Sequence, residues 1–302
     1  MKKIICIGEC SLNVVLGADG KPLGSMVGGR VINAAVLLAA KGFEVLVASE
    51  SGTDPVGDIV TDFIKSSGTD VRSLDRFTEG TTTLNVFTPD KDGAYVVTRY
   101  ENYPEECFDI IWPRIDEGDI VLFGGFYSID GRVHSRLMRL LEYAAERKAV
   151  LVYLPGFAAL REPRITRVMP AILENLELAD MVVTRNEDLR LIFGVEDGRG
   201  CYDDHINFYC RSLVNINEAE HRIDYYSGTE ISSCDIVSAS CSSMMWNAGV
   251  LAGIVASLAE QNLTADSLDA VSDTVRAKIL AAAAGSAAFV AGSFSQHWQT
   301  MA

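Results

Sequence analysis

Five short, largely apolar runs, at 3–8, 45–51, 120–124, 149–154 and 180–184, alternate along the chain with segments of helical period at 31–41, 55–67, 132–148 and 165–178. A strand that wets one face alternates apolar with polar residues. A nearly continuous apolar strand must be covered on both faces, and helices spaced between such strands imply βαβ units and a parallel sheet. The expected fold class is therefore α/β, a doubly wound, mainly parallel sheet flanked by helices. Two stretches depart from this pattern, 13–26 and 81–100, where alternation surrounds the turn signals Asp19-Gly20 and Asp92-Gly93. They are expected as hairpins outside the main sheet, forming a small β-lid. The C-terminal third reads as helical, and 267–292 is so rich in alanine that it must pack closely against its neighbours. At 302 residues and 48% hydrophobic content, with no repeats or linkers, residues 1–302 are expected to form a single domain.

The formal charge of −15 and a pI near 4.7 provide no basic field to hold nucleic acid or an anionic membrane surface. The apolar start, Ile4-Ile5-Cys6-Ile7, ends at Gly8-Glu9, too early for a signal peptide. The apolar stretch 279–292 is interrupted by Gly285-Ser286 and reads as too short to span a bilayer. Seven cysteines without a C-x-x-C pair, and four histidines without ligand spacing, predict reduced core thiols, a cytoplasmic location and no metal site.

Several distinctive segments, most of them glycine-bearing, follow in order. Ile7-Gly8-Glu9 closes the first strand, and Gly28-Gly29-Arg30-Val31-Ile32-Asn33 opens the first helix. Gly52-Thr53-Asp54-Pro55-Val56-Gly57 opens the second, and Asp180-Met181-Val182-Val183-Thr184-Arg185-Asn186-Glu187 ends a strand at an asparagine. Last comes Ile236-Val237-Ser238-Ala239-Ser240-Cys241-Ser242-Ser243-Met244-Met245-Trp246-Asn247-Ala248-Gly249, a turn leading into an apolar helix. Read as local structure alone, this last segment is a loop followed by a buried helix.

In this order, and over nearly the whole chain, the segments resemble the signature of the ribokinase-like, or PfkB, family of carbohydrate kinases. The resemblance implies the ribokinase-like fold. It also implies a small sugar or polyol held by Gly28, Gly29, Asn33 and Asn13, with Asn186, Glu187 and Asp188 in the vicinity of phosphate and magnesium. In a working member, ATP and magnesium are the cofactors.

The departures fall on the chemistry. The family's G-A-G-D reads Cys241-Ser242-Ser243-Met244, which puts a thioether at the position of the catalytic aspartate. A sugar kinase needs a carboxylate to accept the hydroxyl proton and backbone N–H groups to hold phosphoryl oxygens. Methionine does neither, and Cβ atoms at Cys241 and Ser243 penalise the φ > 0 turn that cradles an anion. Asn13 stands for an aspartate, Leu154-Pro155-Gly156 for D-P-N, and Leu189 for the acid of N-x-x-E. Near 213–228 the family's nucleotide glycines are absent, and Glu218 and Glu220 are expected to repel a nucleotide.

These losses predict a catalytically impaired homologue that binds a small ligand or regulates, with no cofactor bound tightly. One alternative is an active ATP-dependent sugar kinase whose base is rerouted to Asp235 or Asp188. Another is a structural homo-oligomer subunit. Exposed hairpin edges predict a homodimer through the lid.

Overall fold

The structure, a computed structural model, describes residues 2–105, 107–156, 164–237 and 243–293, with the side chains of 126, 243, 244 and 293 outside the description. The first half of the chain runs β1 (Ile4–Ile7), β2 (Ser11–Leu16), β3 (Pro22–Gly28), α1 (Arg30–Ala40), β4 (Val45–Gly52), α2 (Pro55–Ser66) and β5 (Asp70–Phe77). β6 (Thr81–Pro89), β7 (Tyr95–Asn102), β8 (Ile120–Gly124), α3 (His134–Glu146), β9 (Val150–Leu154) and α4 (Ile165–Leu178) follow. Next come β10 (Met181–Arg185), α5 (Asn186–Phe193), α6 (Gly198–Cys201), β11 (Ser212–Asn217), β12 (Arg222–Ser227) and β13 (Glu230–Asp235). The helices α7 (Ser243–Glu260), α8 (Ala265–Leu268) and α9 (Asp273–Ser293) complete the order.

A nine-stranded sheet has the order β13-β12-β11-β10-β9-β8-β1-β4-β5. It is parallel from β11 to β5 and antiparallel at β12 and β13. The apolar runs serve two cores because successive side chains of a strand point to opposite faces. Ile4, Cys6, Val45, Val47, Ile120 and Leu122 pack with α1, α2, α7 and α9 on one face. Their neighbours Ile5, Ile7, Leu46, Val121 and Phe123 pack with α3 and α4 on the other.

The hairpins at 13–26 and 81–100 form as expected, as β2–β3 and β6–β7, and join through parallel β2–β6 pairing into a separate four-stranded sheet. Asp54 roots this sheet. Its carboxylate caps α2 by accepting from the N–H groups of Val56 and Gly57, and accepts the N–H and hydroxyl of Thr82 at 2.7 and 2.8 Å.

Two expectations need correction. Residues 70–77 add an edge strand, and the C-terminal third is not helical throughout. Residues 212–235 form three strands, in which Leu213, Ile223, Tyr225 and Tyr226 supply β-favouring side chains and Gly228, at φ 56°, turns the hairpin. The stretch 279–292 belongs to α9, which by length and composition alone is long enough to cross a membrane. α9 lies against α7, where a Cβ on Gly253 would stand 2.7 Å from the Ala283 Cα and collide with the Ala282 carbonyl.

Candidate functional site

The chain leaves β1 toward β4 and β5 on one side and returns through β8, β9 and β10 on the other. The helices after β1 and β8 lie on opposite faces of the sheet, so a crevice opens above the carboxyl ends of these two strands. Open α/β sheets place ligands there. Gly8 and Glu9 follow β1 at this edge. Gly29, with φ 109°, leads into α1 where a Cβ would collide with the Glu9 carbonyl oxygen, and Gly124 and Gly125 end β8 at φ 154° and 71°.

Over the crevice the small sheet presents polar groups. The Nδ2 of Asn85 donates to Asn13 Oδ1 at 2.8 Å and to Ser11 Oγ at 3.1 Å, and Arg99 Nη1 donates to Asn85 Oδ1 at 3.4 Å. The register that sets Asn13 opposite Asn85 on β6 makes this possible. Gly28 completes the group, since a Cβ there would stand 2.7 Å from Asn13 Oδ1. Ser11, Asn13 and Gly28 are all buried. Asn33, expected beside them, sits one turn into α1 and lines a separate apolar cavity.

Toward β10 the site becomes ionic. Arg30, the first residue of α1, reaches Asp188 of α5 with Nη1 at 3.4 Å, and Arg185 holds the same carboxylate at 3.0 and 3.2 Å. Asp188 is fully buried. Burial alone would push its carboxyl up, but the two guanidiniums outweigh it and hold the group below the usual carboxylate range. Arg185 also pairs with Glu187 at 3.0 Å and Glu218 at 3.9 Å. Asn186, the expected phosphate-side asparagine, accepts from Asn215 Nδ2 at 2.6 Å, while Asn215 Oδ1 accepts from Thr184 at 3.0 Å. The group Asn186 retains for a ligand is thus its N–H2, a donor suited to phosphoryl oxygen.

The repulsion expected from Glu218 and Glu220 is reduced in the structure. Glu218 accepts from Asn247 Nδ2 at 3.0 Å as well as pairing with Arg185, and Glu220 pairs with Arg222 at 2.8 Å. Among the described residues, no group of three His, Cys, Asp or Glu side chains is placed to hold a metal. Cys241 and Ser242, and the side chains of Ser243 and Met244, lie outside the described residues. Arg30, Arg185, Asn85 and Ser11 escape sequence reasoning. For Asn85 the alternation through 81–89 was a usable signal, because it places residues 83, 85 and 87 on one face.

Residues 1–219 match the pattern that defines the pfkB family carbohydrate kinases. No curated protein sequence matches the chain. Solved structures resemble it over nearly their full length. Fructokinase with bound ATP from Xylella fastidiosa superposes with a TM-score of 0.78 at 18% identity, over 98% of this chain and 94% of that one. Aminoimidazole riboside kinase from Salmonella enterica, complexed with aminoimidazole riboside and an ATP analog, gives 0.80 at 13% identity, over 99% and 96%. Fructokinase from Vibrio cholerae O395 with fructose, ADP and calcium ion gives 0.77 at 14%, over 99% and 96%.

Proposed function

This chain belongs to the pfkB family of carbohydrate kinases, and from that premise we propose that it is a catalytically impaired member whose crevice holds a small sugar or polyol and which acts as a binding or regulatory module. One observation carries the reading: neither Asp188 nor Asp235, the two acids the sequence offers as a rerouted base in place of the aspartate lost at Met244, is suited to the task. Asp188 is buried between two arginines with a depressed pKa, which makes it a weak base. Asp235 ends β13, six strands from β1, and at about 4.8 Å per strand it stands on the order of 25 Å from the crevice. Asn13, Gly28 and Gly29 form the ligand-facing surface beneath the small sheet, which acts as the lid. Asn33 stands one turn behind them, and Asn186, Glu187 and Asp188 form the phosphate side. The protein is cytoplasmic and dimeric through this lid, whose outer strands expose Leu23, Val96, Val97 and Tyr100.

A second reading, an active ATP- and magnesium-dependent sugar kinase, draws support from Arg30 and Arg185. Two guanidiniums between the crevice and β10 suit a transferring phosphoryl group, and Glu9 supplies a carboxylate at the carboxyl end of β1. One pair of measurements separates the readings. ATP consumption over a panel of hexoses, pentoses and nucleosides should stay at background, while a sugar of the panel raises the melting temperature and ATP with magnesium does not. Turnover that disappears in Glu9→Gln or Asp188→Asn would install the kinase reading.

A further inference from the structure

The small sheet returns to the main one through a strap, 103–119, between β7 and β8. At Phe108 the strap has φ 62°, a conformation that strains a bulky residue and persists only where its surroundings fix it. Three contacts do so. The Phe108 N–H donates to Glu50 Oε2 at 2.5 Å, its ring meets that of Tyr127 edge-on with centroids 5.5 Å apart, and the carbonyl of Cys107 accepts from Arg136 Nη1 at 2.7 Å. Arg132 fastens the end of β7 to the same place. It donates to Asp130 at 2.6 and 3.0 Å and to Glu101 at 2.9 Å, and its guanidinium lies 5.3 Å from the centre of the Tyr103 ring. The seat of the strap is therefore the buried carboxyl of Glu50. Ionised, it would face Glu9 beyond β1, Asp75 opposite it on β5 and Asp130 between β8 and α3. The cation that opposes them, Arg132, is already shared by Asp130 and Glu101. The other titratable neighbours, Cys10, Tyr103, Cys107 and Tyr127, stay neutral, since burial holds each above its ordinary value. The ring around Glu50 thus suits a protonated carboxyl.

We propose that Glu50 is a pH-sensitive lock on this strap: protonated, it seats Phe108 and holds the small sheet over the crevice, and ionised, it releases the strap and loosens the lid. The release is local, because water reaches the carboxyl once the strap lifts, with the main sheet intact. Burial pushes the Glu50 carboxyl from 4.5 up to about 7 in the closed form, and in the open form it returns toward its ordinary value. The closed form is therefore fully favoured below pH 4.5 and loses that advantage as the pH rises through about 7. At tenfold per pH unit between the two values, opening should increase on the order of fiftyfold from pH 5 to pH 8. The inference rests on the reading of the small sheet as a lid, and not on whether sugar or phosphate binds.

Amide hydrogen exchange of the full chain at pH 5 and pH 8, corrected for the intrinsic rate at each pH, tests the lock without any ligand. In the unmodified protein, peptides covering 95–110 should lose protection on the order of fiftyfold at pH 8, and low urea should leave that loss unchanged, while β1, β8 and β9 keep their protection. Glu50→Gln should hold the strap closed at both pH values. Arg132→Gln, which frees Glu101, should raise exchange of the same peptides at both. Protection of 95–110 that does not change with pH in the unmodified protein would overturn the proposal, as would an equal loss in Glu50→Gln or unaltered exchange in Arg132→Gln. A loss shared with β1, β8 and β9 and growing steeply with urea would assign the effect to global unfolding and overturn it as well. None of these outcomes bears on sugar binding or turnover, so failure here leaves the impaired-kinase reading to its own assays.

Discussion

Replacing Glu50 with glutamine should stabilise the protein at pH 8 and change little at pH 5. Glu50 lies in β4 with 1% of its surface exposed, and burial pushes its carboxyl from 4.5 up to about 7. The N–H of Phe108 and the charge of Arg132 act in the opposite direction, and Asp75 adds to the rise. Glu9, Tyr103, Cys107, Tyr127, Asp130 and Arg132 surround a cavity of about 10 Å3 at the carboxyl. The Tyr127 hydroxyl faces the Glu50 carboxyl and, like the Phe108 N–H, favours its charged form. A carboxyl that holds its proton more tightly in the native state contributes stability that is complete below pH 4.5 and is lost as the pH rises through about 7. That interval of about 2.5 pH units, at roughly 1.36 kcal/mol each, amounts to about 3 kcal/mol. With an unfolding entropy of about 2.1 cal/mol/K per residue, a chain of 302 residues converts this into a melting shift of about 5 °C. Glutamine keeps an oxygen for the Phe108 N–H and carries no charge to desolvate. Melting curves of both proteins at pH 5 and pH 8 isolate the effect from other titrating groups. Parallel pH dependence in Glu50→Gln and the unmodified protein would refute the reasoning, since it would mean that Glu50 ionises as easily folded as unfolded.

Gly253→Ala should lower stability by about 1–3 kcal/mol in urea unfolding, because the added Cβ meets the α9 backbone at Ala282 and Ala283; an unchanged midpoint would show that α7 and α9 are free to separate. Asp54→Ala removes a helix cap together with both bonds to Thr82 and should be destabilising by about 2–4 kcal/mol. Proteolysis within 81–102 should accelerate in parallel, and a rate equal to that of the unmodified protein would mean that the small sheet is held elsewhere. Met244→Asp alone should restore no sugar phosphorylation, since the glycines of the anion cradle and the nucleotide turn remain absent; clear turnover in this single variant would show that the other departures are tolerated.

The central strands are legible in the sequence because burial on both faces keeps them largely apolar, although β4 buries Ser49, Glu50 and Ser51. Met181, Val182 and Val183 serve two cores at once, and their unbroken run says so. The hairpins are legible from Asp-Gly turns, where Gly20 and Gly93 adopt φ 75° and 84°. What joins them is not. Parallel pairing of β2 with β6 brings Asn85 to Asn13 across 72 residues, and no local periodicity encodes a register between separate hairpins. The ionic side of the site is hidden for the same reason, since Arg30 and Asp188 lie 158 residues apart. Strands β12 and β13 escape because Asp224, Ser232 and Ser233 interrupt their apolar pattern; the buried Asp224 accepts from Arg222 and Ser233.

The persistence of family glycines in a chain that has lost family acids has a physical explanation that bears on function. At Gly57 a Cβ would collide with the carbonyl oxygen of Gly52, and at Gly28 with the hydroxyl of Ser11. Neither collision involves a substrate. Side chains at these positions would separate α2 from β4 and β3 from β2, so the glycines are required for the fold to close whether or not phosphate is transferred. Their retention therefore argues for architecture and is silent on catalysis. The positions that packing leaves undetermined are the informative ones. Asn13 retains hydrogen bonding where the family uses charge, Leu189 is wholly buried where the family places an acid, and Asp188 is neutralised by Arg30 and Arg185. At Asn13 and Asp188 the chain pairs its polar groups internally, and at Leu189 it buries an apolar side chain. Here the buried Asp188 is closed into a cluster with Arg30 and Arg185, whereas Glu9 follows β1 at the crevice, so turnover in Glu9→Gln is the measurement that separates the impaired from the active reading.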